Sequence, residues 1–177
     1  AITIARMVVA APLLWLLLQR SYGAALWLVV LAGVSDVVDG FLAKRFDCRT
    51  ALGGLLDPIA DKLLLAACFL GLWWSQRLPS WLVLLVLGRD VIIVIGAFVH
   101  WRWVLPFKPA PSFIGKMTTL AQIVLAAGLL AHEAVAALPF NLLLGLMLAT
   151  ALLTSASGLD YVDRYGLRAW RALGSRA

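Results

Sequence analysis

Long apolar runs separated by short polar breaks set the pattern of this chain. The first run covers Ile2 to Leu18 and ends at Gln19–Gly23. A second runs from about Ala24 to Lys44, a polar connection follows over Arg45–Leu52, and a third covers about Gly54 to Trp74. Gln76 to Ser80 turn the chain again before a fourth run, about Trp81 to Trp103. Leu105 to Pro111 form a proline-rich break, and two further runs occupy about Phe113–Ala131 and Pro139–Ser157. Each run approaches the ~20 residues that a helix needs to cross a bilayer. The pattern therefore predicts an all-α integral membrane protein, a six-transmembrane-helix bundle forming a single membrane domain over residues 1–177, with no internal repeat. The first run could pass for a signal peptide, but further spans follow it and no secreted domain does, so it reads as helix one. The chain opens at Ala1 rather than at Met, and a short preceding piece is expected.

Composition agrees. Of 177 residues, 63% are hydrophobic and 14% charged, against roughly 25% charged in soluble proteins. The mean hydropathy is +0.97. A soluble globular domain is excluded. The net charge of +6 does not call for a nucleic-acid partner, because basic residues of membrane proteins collect on the cytoplasmic side and meet anionic lipid. Here Lys44, Arg45, Arg49, Lys108 and the tail arginines Arg164, Arg168, Arg171 and Arg176 share one side of a six-span topology. Arg20 and Arg77 are the basic residues of the opposite loops. Both termini and the polar cavity are therefore expected to face the cytoplasm, in a bacterial or organelle inner membrane. The polar tail reads as a solvated helix on the membrane surface. Cys48 and Cys68 are too few for a disulfide framework, and His100 and His132 read as isolated interfacial or solvated residues.

Charges inside the apolar runs carry the chemistry. Asp36, Asp39, Gly40 and Ala43 recur at i, i+3, i+4 and i+7, one helix face. Asp57 and Asp61 are four apart, again one face. Two such carboxylate pairs facing each other would repel unless positive charge sat between them, and a carboxylate-only set favours Mg²⁺ or Mn²⁺. Gly40 and Gly53 leave room for close backbone approach. Pro58 fits the first turn of a helix, whose amides would favour anions nearby. Lys44, Arg45 and Arg49 put cations beside the acids. Structural ion pairing is the alternative, but acids within membrane spans are expensive and usually functional. Arg89-Asp90, deep in the fourth run, reads either as a self-neutralising pair or as a charged site facing a cavity.

The residues Asp36-Val-Val-Asp39-Gly40-Phe-Leu-Ala43-Lys44, eight further residues, and Gly53-Gly-Leu-Leu-Asp57-Pro-Ile-Ala-Asp61 resemble the signature of the CDP-alcohol phosphatidyltransferase family. That signature is Asp-x-x-Asp-Gly-x-x-Ala-Arg, eight residues, Gly-x-x-x-Asp-x-x-x-Asp. Every fixed position matches except Lys44, which stands where the family has Arg. The resemblance implies a six-helix bundle, commonly a homodimer, that transfers a phosphatidyl group from CDP-diacylglycerol to a second alcohol and releases CMP. It implies Asp36, Asp39 and Asp57 as metal ligands, with Asp61 beside the metal as general base, and two divalent ions, Mg²⁺ or Mn²⁺. Gly40, Ala43 and Gly53 match positions where the nucleotide lies against backbone, and Lys44 matches a pyrophosphate-binding Arg. Ile2-Thr3-Ile4-Ala5-Arg6 resembles the Thr-x-x-Arg that opens many members, which brings Arg6 towards the phosphate site or leaves it an interfacial anchor.

The acceptor alcohol is read from Gly88-Arg89-Asp90, Lys108-Pro109 and Ile114-Gly115-Lys116. These look most like CMP-forming cardiolipin synthases, which use phosphatidylglycerol. Phosphatidylglycerophosphate synthases, which use glycerol 3-phosphate, typically have Arg-Glu in place of Arg89-Asp90 but share Gly115-Lys116. Arg89, Lys108 and Lys116 are the candidate acceptor contacts in both cases. A membrane prenyltransferase or a small transporter are rival readings of intramembrane acids. The former spaces its aspartates differently, and the latter has no need of the glycines and the phosphate-side lysine.

Overall fold

The computed structural model describes residues 2–45, 51–103, 113–161 and 163, and side-chain surroundings over 8–35, 60–95, 113–161 and 163. Six helices follow one another: α1 (Ile2–Leu18), α2 (Tyr22–Arg45), α3 (Ala51–Trp74), α4 (Ser80–Trp103), α5 (Phe113–Ala134) and α6 (Phe140–Tyr161). No strand occurs among the described residues. The apolar runs thus become helices, as expected, with one instructive difference at the start of α3 and the expected extension at the end of α6. α3 begins at Ala51 rather than near Gly54, because a pair of glycines costs a helix only about 1 kcal/mol each and does not stop it. Pro58 consequently lies inside the helix and not in its first turn, so the expected anion-favouring amides do not surround Asp57. α6 continues four residues past Ser157, to Tyr161.

Among the described residues two helices, α5 and α6, are long and apolar enough to cross a membrane. At 22 residues each they are about 33 Å long, close to the ~30 Å hydrocarbon thickness. α2, α3 and α4 are longer still, 24 residues each.

The core is built from Leu13 and Leu17 of α1, Phe69 and Leu72 of α3, Leu82 and Val86 of α4, and Leu125 and Leu130 of α5. α1 lies against α3 and α2, α2 against α5, α4 against α6, and α5 against α6. α1 and α3 approach so closely at Gly71 that an added Cβ would stand 2.6 Å from Leu17 Cβ. Only a glycine fits there.

Polarity is inverted relative to a soluble bundle. The buried face of α6 carries Thr150, Thr154 and Ser157, while Leu142, Leu144, Leu148, Leu152 and Leu159 point outward. The matching face of α5 buries Thr118 and Gln122. Across this seam the Thr118 hydroxyl lies 3.0 Å from the Leu153 carbonyl, and Thr150 donates to the Ala121 carbonyl at 3.4 Å. Apolar outer surface with small polar residues at the helix contact is what a lipid solvent selects, since lipid tails supply no reason to bury leucine.

The turns α1–α2 and α3–α4 share one design. Arg20 and Gln76 adopt left-handed backbone, φ 57° and 62°. Each closes its helix by paired bonds, Ser21 N–H to the Leu16 carbonyl at 2.9 Å and Arg77 N–H to the Leu72 carbonyl at 2.8 Å. This is the Schellman closure, usually made by glycine.

Candidate active site

The signature residues sit at the ends of α2 and α3, on either side of the connection 46–50. Asp36, Asp39, Gly40, Ala43 and Lys44 belong to the last turns of α2. Because α3 starts at Ala51, Gly53 joins Asp57 and Asp61 at i, i+4 and i+8, one continuous stripe of a single helix. Asp39 stands six residues before the end of α2 and Asp57 six residues after the start of α3. Both therefore lie about 9 Å along the helix axis from the connection, with Asp36 and Asp61 about 14–15 Å along it. Five-residue connections usually join antiparallel neighbours, an arrangement that would put the carboxylates at two matched levels.

The side chains of Asp36, Asp39, Lys44 and Asp57, and that of Arg6 in α1, lie outside the described side chains, and Lys108 lies outside the described residues. Asp61 is exposed, as is Lys116 in the first turn of α5. Among the described residues no three His, Cys, Asp or Glu gather as a metal group. The donor chemistry of the signature is nonetheless all carboxylate oxygen, which fits a hard divalent cation and not zinc.

Immediately beyond Asp61 the structure assembles an ion network that sequence reading saw only in part. Asp90 Oδ1 accepts from Arg89 Nη1 at 2.6 Å and from Lys62 Nζ at 2.9 Å. Arg89 also donates through Nε and Nη2 to Ser157 Oγ, at 3.2 and 2.6 Å. One carboxylate oxygen and one guanidinium thereby join α3, α4 and α6. Burial grades across the network, with side-chain exposure of 8% for Arg89, 16% for Asp90 and 36% for Lys62. Nearby, Tyr161 donates to the Ile93 carbonyl at 3.1 Å and ties the end of α6 to α4. Arg89 and Asp90 do pair, and Lys62 shares the same carboxylate oxygen.

Lys62 and Ser157 were not singled out in the sequence. Lys62 had a signal: a lysine next to the last signature aspartate, inside an apolar helix. Ser157 had a weaker one, the i, i+4, i+7 spacing of Thr150, Thr154 and Ser157 on an otherwise leucine-rich helix.

Comparison with known proteins fits this arrangement. A family model described as CDP-alcohol phosphatidyltransferase matches residues 1–163. The CMP-forming cardiolipin synthase of Streptomyces coelicolor is 36% identical over 124 residues, covering 67% of this chain and 57% of that protein. The CMP-forming cardiolipin synthase of Rattus norvegicus is 32% identical over 168 residues, 85% of this chain and 56% of that protein. The CDP-diacylglycerol–glycerol-3-phosphate 3-phosphatidyltransferase of Aquifex aeolicus is 34% identical over 125 residues, 67% of each chain. This chain spans a little over half the length of the two cardiolipin synthases. With the signature, matched at every fixed position but Lys44, at the ends of α2 and α3 that flank their connection and the family model spanning nearly the whole chain, the protein belongs to the CDP-alcohol phosphatidyltransferase family.

Proposed function

We propose that this protein is a multi-pass membrane enzyme of phospholipid synthesis. It transfers a phosphatidyl group from CDP-diacylglycerol to phosphatidylglycerol, forming cardiolipin and releasing CMP. The observation that carries the reading is the signature itself, every fixed position but one, placed at the adjoining ends of two helices in an apolar helical chain. The relatives named as cardiolipin synthases support the product.

In this reading α1 to α6 all span the bilayer, with both termini and the signature at the cytoplasmic headgroup boundary. The inverted polarity of α6 supports a lipid-facing exterior, and a homodimer is part of the proposal. Asp36, Asp39, Asp57 and Asp61 would hold two Mg²⁺ or Mn²⁺ ions, and the family is generally divalent-metal dependent. When bound, such ions neutralise a pyrophosphate and polarise the attacked phosphorus. The chain's own residues supply the rest. Gly40, Ala43 and Gly53 let the nucleotide approach backbone, while Lys44 and Arg6 meet the pyrophosphate. Asp61 takes the proton from the acceptor hydroxyl as its oxygen bonds to the lipid-side phosphorus. The bond from that phosphorus to the oxygen of CMP breaks, and CMP leaves.

The choice of acceptor rests on charge. Glycerol 3-phosphate is a small dianion that needs several converging cations. Arg89, one of the three candidate acceptor contacts with Lys108 and Lys116, is held by Asp90 and Ser157. Phosphatidylglycerol carries one phosphodiester charge and gains binding energy from its acyl chains, so it suits the weaker field. A glycerol 3-phosphate acceptor is the second reading, favoured by Gly115-Lys116 and by the Aquifex aeolicus relative.

The test is CMP release from CDP-diacylglycerol by purified protein in lipid. Excess chelator should abolish release, and Mg²⁺ or Mn²⁺ should restore it. Undiminished turnover in chelator would remove the carboxylate-metal site from the mechanism.

A further inference from the structure

The ion network beside Asp61 has an uneven charge count: Lys62 and Arg89 are cations, and Asp90 is their shared anion. Asp90 is mostly buried and offers both cations the same oxygen. Arg89 is fixed a second time by Ser157, whereas Lys62 has a more exposed side chain on a flexible four-carbon stem. Lys62 also follows Asp61 directly on α3, the helix that carries Asp57. The ammonium is thus paired with Asp90 on α4, while its backbone follows Asp61, a signature aspartate, on α3.

We propose that Asp90 is a positioning residue that draws the Lys62 ammonium onto α4 and thereby keeps it from competing with divalent cations for the signature carboxylates. The inference rests on the metal-binding reading of those aspartates. A lysine paired to an aspartate and a divalent ion bound to it are alternatives for the same lone pairs, and the lysine is tethered at high local concentration. Without a fixed anion of its own, Lys62 would partly neutralise the cluster and weaken its pull on a metal. Asp90 removes that competitor by a 2.9 Å ion pair. Arg89, itself bonded to Ser157 of α6, in turn holds Asp90 in place.

The measurement is Mn²⁺ binding to purified protein in detergent, read from the electron paramagnetic resonance of the free ion, alongside the Mn²⁺ concentration giving half-maximal CMP release. Asp90→Asn should weaken both about tenfold, the effect of ~1.4 kcal/mol of competing ion pairing. Adding Lys62→Gln to Asp90→Asn should restore Mn²⁺ affinity to near that of the unmodified chain. A merely structural role predicts the opposite, because the double variant has lost more of the network than the single one. Lys62→Gln alone should leave Mn²⁺ affinity unchanged, and it gives the answer if Asp90→Asn does not fold. A loss of Mn²⁺ affinity in Lys62→Gln, or no rescue in the double variant, overturns the proposal. An unmodified chain that binds no Mn²⁺ would instead contradict the metal site on which it rests.

Discussion

Two arginine–carboxylate pairs, one at the α3–α4 turn and one in the middle of α4, stand in different surroundings. Arg77, in the α3–α4 turn, bonds Glu133 of α5 at 2.9 Å with its side chain 44% exposed. Its guanidinium carbon also lies 5.9 Å from the centre of the Tyr22 ring. Close by, His132 accepts the Leu138 N–H on Nδ1 at 2.8 Å and so fastens the α5–α6 connection. This group clasps three turns to one another at a surface that water reaches. Arg89 and Asp90 lie on the same helix, nearly enclosed, and share their charges with Lys62 and Ser157. The chemistry is alike and the surroundings are not. An exposed pair is screened and contributes little, whereas breaking a buried pair leaves a charge with neither partner nor water. The two pairs differ at the arginine, 44% exposed in Arg77 and 8% in Arg89, whereas both carboxylates are mostly buried, 13% for Glu133 and 16% for Asp90; the second network stands directly beside Asp61.

The comparison breaks first at the chemistry. Asp61→Asn should lower the rate of CMP release by about 10²–10⁴-fold, the usual share of a general base. Glu133→Gln, an equal change at the α3–α4 turn, should leave that rate within about twofold, since Glu133 pairs with that turn and not with the signature. Comparable losses in both variants would mean that the two ends are not functionally distinct.

Stability sharpens the contrast next. Asp90→Ala strands Arg89 among α4 and α6 and should cost about 3–5 kcal/mol, measured by reversible unfolding in mixed micelles. Arg77→Gln should cost less than about 1 kcal/mol in the same assay, and less again at high salt. If the two costs were equal, burial would not be what separates these pairs.

Much of this contrast was legible in the sequence, and the remainder was not, for physical reasons. Periodicity and length gave six helices, and the fixed spacing of Asp36, Asp39, Asp57 and Asp61 gave the family. Arg89-Asp90 showed itself as charge within an apolar run. Helix ends were misplaced where local signals are weak. Gly53-Gly54 looked like a start because glycine is a poor helix former, yet α3 runs through both from Ala51. α6 continues past Ser157, as its polar extension suggested, to Tyr161, whose hydroxyl reaches α4. Lys62–Asp90 and Arg89–Ser157 join residues 28 and 68 positions apart, and no local pattern encodes such partners. His132 read as an isolated, solvated residue because its partner is a backbone N–H, which every residue but proline offers.

The central claim is the transfer reaction and its acceptor, and one assay addresses both. Purified protein in liposomes, with CDP-diacylglycerol and Mg²⁺, is given phosphatidylglycerol or glycerol 3-phosphate, and the lipid products and CMP are quantified together. The account predicts cardiolipin and equimolar CMP from phosphatidylglycerol, with little product from glycerol 3-phosphate. Efficient phosphatidylglycerophosphate formation with no cardiolipin would contradict the acceptor assignment, and no CMP from either acceptor would contradict the reaction itself.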